Sequence, residues 1–288
     1  MACTYSFSRK RPDQKTSKES SWFRLWINGY TVKQLVRNSG HSRSKIQRII
    51  LYELAQAPPL PLNLSQYTHI VFDGKFLFGR KYCLLVVYDA RTNKPIACHA
   101  ARGENRRGII PWLYALQRQG LNPQAVTTDG NPAGIWSFRE VWPSIVTQRC
   151  LFHIKLQVTA WCRIPPRTEL GIELTQYVNS LFVVKSNAEA EVFESEYRAI
   201  LLRNKRIISN LDTTNILERD LLKAITVIAN ALPCLFHYLD DPKIAKTTSG
   251  LEGYFKQIQD IRGFRHSGLT EVHLKQFIAW RIYFDTSK

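Results

Sequence analysis

Residues 69–101 hold three strand-forming runs, HIVFDGKF (69–76), KYCLLVVYDA (81–90) and KPIACHAA (94–101), separated by only four and three residues. Connections this short leave no room for a crossover helix, so the three runs must form an antiparallel meander. The first run carries an oddity. Asp73 interrupts a sequence that otherwise reads as a strand with a buried face. A turn starting at Asp73-Gly74, or an edge strand facing solvent, would explain it without function. A carboxylate held by a rigid scaffold to meet a ligand would explain it with one.

Downstream, RGIIPWLYALQRQG (107–120) has helical period, with Pro111 inside its first turn or two. QAVTTDG (124–130) reads as a short strand, a helix is expected around 132–141, and SIVTQRC (144–150) reads as another strand. From about 168 to 240 the period is helical, clearest in AEAEVFESEYRAILL (188–202). Three antiparallel strands, a helix, a strand, a helix and a strand form a mixed α/β order. That is the order of a ribonuclease-H-like sheet, here with an all-helical insertion. The expected division is a core over 69–167, the insertion over 168–242, and a return to the core over 243–288.

The 288-residue chain carries a formal charge of +17 and is 44% hydrophobic, enough for a sizeable core and a polyanionic partner. Residues 1–57 contain eleven Lys or Arg against three Asp or Glu. Residues 1–19 read as a basic disordered arm, and 57–68, rich in Pro, as a linker. Between them, 20–56 read as a small helix-turn-helix domain. WFRLWI (22–27) follows two serines, TVKQLVRNSG (31–40) starts on a capping Thr31, and SRSKIQRIILYEL (42–54) starts on Ser42. In the third piece Ile46, Ile49 and Ile50 share one face. Arg43, Ser44, Gln47 and Arg48 share the other, where a recognition helix meets the major groove. A structural bundle with a solvated basic face is the competing reading.

The N-terminal MACTYSFSRKRPDQK has no apolar signal region. The longest apolar run, AITVIANALPCLF (224–236), falls short of the roughly 18 residues a membrane span needs and is broken by Asn230 and Pro233. Cysteines such as Cys83, Cys98 and Cys234 lie in apolar patterns and read as reduced core residues. No membrane partner is expected, and the expected location is cytoplasmic.

Two further acids stand in telling places. Asp129 closes a strand where the backbone turns at Gly130, and ligands of α/β sheets gather at such strand ends. Glu252 lies near the start of a helix in TTSGLEGYFKQIQ (247–259), behind Thr247, Thr248 and Ser249 as capping candidates. Two strand carboxylates and one helix carboxylate make a hard-oxygen set suited to two Mg²⁺ or Mn²⁺ ions and in-line phosphoryl transfer. Asp89, Glu104 and Asp260 compete for these roles, Asp89 most seriously because it ends the second strand. Lys256 follows Glu252 by four residues, either as an ordinary helical ion pair or as a contact to a phosphate beside the scissile bond.

VWPSIVTQRCLFHIK (141–155) resembles the Cys-x-x-His block of the Mutator-type DDE transposases, in particular their bacterial insertion-sequence branch. TTDGN (127–131) resembles the second-acid block of that family, and TTSGLEGYFKQIQDIRGFRHSGL (247–269) the block bearing its glutamate. HIVFDGKF falls where the first acid belongs, and the likeness runs over about 69–283. It implies a triad of Asp73, Asp129 and Glu252, and a supporting role beside the active site for Cys150 and His153. On chemistry alone, Cys150 and His153 with Cys162 would suggest a partial zinc site lacking a second ligand pair. Trp136, Trp142 and Trp161 flank these blocks; most tryptophans are core, but one could stack on an unpaired base.

The function these readings lead to is that of a DNA transposase. The head would bind terminal inverted repeats, and the core would nick the transposon ends and join the freed 3′-hydroxyl to target DNA. Arg262, Arg265 and basic helical surfaces of the insertion would hold phosphates. Pairing of two ends makes at least a homodimer expected, in a nucleoid-associated bacterial setting. Two alternatives stand: a non-catalytic transposase-derived DNA-binding protein, and a ribonuclease-H-like nuclease without strand transfer.

Overall fold

The computed structural model describes residues 12–56, 58, 63–77, 82–260 and 269–286, without the side chains of 12–18, 77, 82, 271 and 286. The chain divides into two compact units, one made of Pro61–Gly253 and the other of Met1–Leu60 with Tyr254–Lys288.

The N-terminal part begins with α1 (Pro12–Ile27), α2 (Val32–Ser39) and α3 (Arg43–Ala55). Helix α1 is ten residues longer than WFRLWI, so 12–19 are helical rather than a disordered arm. Pro12 supplies the preset φ of a first helical position, and the Gln, Lys and Glu that follow keep the helix going. Lys45 lies 3.9 Å from Glu19, and Ser20 donates to Glu53 Oε1 at 3.0 Å, which fastens this extension to α3. Thr31 caps α2 in a reciprocal box with Gln34. Gly40, at φ 70°, ends it, and Ser42 accepts the Lys45 N–H to begin α3. Phe23, Trp26, Ile27, Leu35, Ile46, Ile49, Ile50 and Leu54 are buried.

In the larger unit β1 (His69–Leu77), β2 (Tyr82–Asp89) and β3 (Lys94–Ala101) form the expected meander. Helix α4 (Arg106–Arg118) leads to β4 (Ala125–Thr128), and α5 (Pro132–Val141) leads to β5 (Val146–Arg149). The result is an open mixed sheet of order β3-β2-β1-β4-β5, with β4 parallel to both β1 and β5. One core forms around Phe72, Leu85, Val87, Ile109, Leu113, Val126 and Phe138, where the Phe72 and Phe138 rings meet edge-on at 5.1 Å. Leu64 joins this core and its N–H donates to Gln119 O, so the last residues of the linker are docked rather than loose.

A second core is helical. It contains α6 (Leu151–Cys162), α7 (Glu169–Asn179), α8 (Asn187–Arg203), α9 (Lys205–Ser209), α10 (Ile216–Ala231) and α11 (His237–Asp240). Ile154 and Val158 of α6 pack there with Leu174, Tyr177, Phe193, Tyr197, Ala224 and Ile228, so the helical layer starts well before residue 168. The stretch Ile216–Asp240 is long and apolar enough to cross a membrane by composition. Its Leu221, Ala224, Ile228 and Ala231 are nonetheless core residues of this layer, and Pro233 sits in a 3₁₀ turn after α10.

Helix α12 (Ser249–Asp260) and helix α13 (Glu271–Thr286) complete the chain. In the smaller unit α13 packs against α1 and α3. Trp280 meets Phe23 edge-on at 5.2 Å, Phe277 meets Trp26 at 5.5 Å, and Trp280 Nε1 donates to Gln56 O. Assigning all of 243–288 to the catalytic core therefore differs from the structure: a helical head with so few buried side chains recruits its fourth helix from the far end of the chain.

Candidate active site

Period-two alternation along β1 sends Phe72 into the core under α5 and turns Asp73 to the opposite face. Asp73 is buried, and its Oδ1 accepts the Gly74 N–H at 2.8 Å. Its carboxyl is pushed up to about 7, first by burial and then by Asp129 and Glu252, with His153 and the Gly74 N–H pulling the other way.

Asp129 owes its place to the sheet register. Phe72 pairs with Thr128 in the parallel β1–β4 ladder, so the next residues of the two strands, Asp73 and Asp129, emerge side by side. The turn after Asp129 strongly favours glycine. Gly130 has φ 95°, and a Cβ there would lie 1.9 Å from the Arg149 guanidinium. Arg149 Nη2 donates to Asp129 O, while Asp129 Oδ1 accepts from Asn131 N at 2.8 Å and from Thr128 Oγ1 at 3.2 Å. Arg149 is buried, and burial pulls its guanidinium below its usual range while Asp129 opposes that.

The helix start bearing Glu252 is fastened by three long-range bonds. Thr127 Oγ1 donates to Ala245 O, Leu151 N donates to Lys246 O, and Thr248 N donates to Cys150 Sγ at 3.3 Å. Thr248 Oγ1 also lies 3.2 Å from His153 Nδ1, and His153 Nε2 lies 3.8 Å from Glu252 Oε1. Cys150 and His153 occupy the start of α6 three residues apart, so both meet Thr248 from one helix face. Burial alone would lower His153, but Cys150, Asp73 and Asp129 outweigh it and push the imidazole up to about 9. The zinc alternative does not assemble, because Cys162 is about 18 Å along α6 from Cys150.

Glu104, named only as a competing acid, stands at this site. Its Cδ lies 3.0 Å from where a Cβ on Gly74 would be, so the missing side chain of Gly74 leaves it room. Its carboxyl is pushed up to about 7 by burial and then by Asp129, with Asp73 adding to it and Asn131 opposing. Its Oε1 is buried without a partner. Nothing in the loop sequence ARGENRR separates this glutamate from an ordinary surface acid. Asp89 is spoken for elsewhere: it accepts from Thr92 N at 3.1 Å and Thr92 Oγ1 at 2.6 Å in the β2–β3 turn. It also pairs with Ile70, three residues before Asp73 on β1.

The donor set is hard oxygen around one imidazolium, and two of its acids are held in a state that a nearby cation would relieve. Among the described residues no three His, Cys, Asp or Glu side chains are already gathered into a ligand cluster.

Lys256 is exposed on α12, one turn after Glu252. Arg43, Ser44, Gln47 and Arg48 are all exposed on α3, opposite its buried isoleucines. Arg262 and Arg265 lie outside the described residues. Trp142 is core, Trp161 is half-buried against the helical layer, and Trp136 is 60% exposed. The helical layer is not the basic surface expected of it: residues 168–242 hold seven Lys or Arg against eleven Asp or Glu.

No family model matches the chain. Over 146 residues it is 25% identical to the transposase for insertion sequence element IS6120 of Mycolicibacterium smegmatis, a match covering 48% of this chain. The match spans 45% of that relative, less than half of its length. The chain is a distant relative of an insertion-sequence transposase.

Proposed function

We propose that this protein is a DDE transposase of the Mutator type, with a ribonuclease-H-like catalytic sheet that cleaves transposon ends and joins them to target DNA. The observation that carries this reading is the side-by-side emergence of Asp73 and Asp129 from β1 and β4, within electrostatic reach of Glu252. The sheet order β3-β2-β1-β4-β5, with its antiparallel meander and two parallel strands, supports it.

Asp73, Asp129 and Glu252 would hold Mg²⁺ or Mn²⁺, with Glu104 beside them. Two such ions, when bound, supply Lewis acidity at the attacking and leaving oxygens of the phosphodiester. The chain's own part is positioning. Arg149 holds the Asp129 backbone, and Thr248 and Cys150 hold the start of α12. His153 keeps a positive charge among the carboxylates, where the DNA phosphate must approach. Helices α2 and α3 would act as a helix-turn-helix on the inverted repeats, with Arg43, Ser44, Gln47 and Arg48 toward the major groove. Two ends held together call for a homodimer or larger assembly.

The test is a cleavage and strand-transfer assay in Mg²⁺ with Asp73→Asn, Asp129→Asn and Glu252→Gln. Each substitution should remove both activities while leaving DNA binding intact. Full activity in all three would sink the triad.

A further inference from the structure

A cleft of about 870 Å³ runs from Asp129 and Arg149 between α5, α6 and α10. Trp136 and Trp161 line it, and Arg219 and Lys223 of α10 stand on its wall. Basic groups in an otherwise acid-rich helical layer are thus placed where the layer faces the candidate active site. The Arg106 guanidinium sits 5.6 Å over the Trp136 ring, which remains 60% exposed. Two wall residues carry buried polar atoms with no partner, the donor Arg149 Nε and the acceptor Gln157 Oε1. Such atoms are uncommon, and a small side-chain rotation would let a ligand edge satisfy them.

We infer that this cleft receives an unpaired nucleotide of the DNA strand next to the scissile phosphate. This rests on the transposase reading above and adds a second contact to it. The indole of Trp136 offers the flat apolar surface a base stacks on, and Trp161 lines the same cleft. Arg219 meets the flanking phosphate, and Arg149 and Gln157 present one donor and one acceptor to a base edge. Volume agrees, because small-ligand sites span roughly 300–1,000 Å³. Stacking on an indole needs an exposed base face, which a paired duplex does not offer, so the occupant must be unpaired. Lys223 already bonds Asp220 at 2.9 Å and acts through its charge rather than by reaching in.

The full-length protein should be titrated with a short oligothymidine and, separately, with a blunt duplex. Trp136→Ala should weaken oligothymidine binding about tenfold and leave duplex binding within about twofold, since stacking acts on unpaired bases. Trp136→Tyr should restore most of the loss, and Arg219→Glu should weaken the same probe and make its dependence on salt shallower. Trp136 and Arg219 are exposed, so these variants should fold. If wild type binds the duplex but Trp136→Ala and Arg219→Glu hold oligothymidine as tightly as wild type, this inference is overturned and the transposase reading stands. If wild type binds neither probe, both fall.

Discussion

Asp73 and Asp129 lie side by side because Phe72 is paired with Thr128, one residue earlier on each of two parallel strands. Neighbouring strands are about 4.8 Å apart, so two carboxylates in this arrangement cannot avoid each other. With Glu104 closing in over Gly74, the protein concentrates negative charge at one sheet edge at a cost to its own stability.

That cost has a sign and a pH window. The Asp73 carboxyl has a folded value of about 7 against 3.8 unfolded, so between these the folded state binds more protons. Stability should then fall as pH rises from about 4 to 7. Asp73→Asn should stabilise the protein by on the order of 2 kcal/mol at pH 8 without metal, read as a higher melting temperature, and change little at pH 4. A lower melting temperature at pH 8 would mean the carboxylate is satisfied rather than repelled.

Divalent cation should reverse the same penalty. Millimolar Mg²⁺ should raise the wild-type melting temperature at pH 8, since a ligand of the folded state stabilises it by mass action. Thermal scans of Asp129→Asn should show a much smaller rise. An equal rise in both proteins would argue against these acids as the binding site.

His153 should titrate far above an ordinary histidine. Its folded value of about 9 exceeds the ordinary value of 6.5, so it contributes stability below 6.5 that is lost as pH passes 9. NMR of the ring nitrogens should show an imidazolium at pH 7.5, and Asp73→Asn should lower the midpoint. A midpoint near 6.5 in wild type would contradict the arrangement.

Gly130→Ala should destabilise by about 2 kcal/mol or more, because φ 95° is strained for alanine and its Cβ would collide with the Arg149 guanidinium. Denaturant unfolding checks this. Adding Arg149→Ala should recover the collision but not the backbone strain, so the double variant should stay below wild type.

Binding to inverted-repeat DNA should depend steeply on salt. Arg43→Ala and Arg48→Ala should each lower the slope of log affinity against log salt by up to about 0.9 where the side chain meets a phosphate. Unchanged slopes in both would move the DNA interface away from α3.

Much of the architecture was legible because it is local. Short connections dictated the meander, Thr31 and Ser42 marked the starts of α2 and α3, and Asp-Gly at 129–130 announced a turn at a strand end. Asp73 stood out because a carboxylate in an apolar alternating run has a local cost visible in the residues themselves. Other features depend on partners far along the chain. Glu104 reaches the acids only because a crossover through α4 returns β4 beside β1 and Gly74 leaves space above it. Thr248 meets Cys150 across nearly a hundred residues, and α13 finds α1 and α3 from the opposite terminus. Periodicity and capping operate within a turn or two, so the sequence by itself determined most of the elements. Which side chains share a site was decided by tertiary packing, because burial and close approach arise only when distant elements meet.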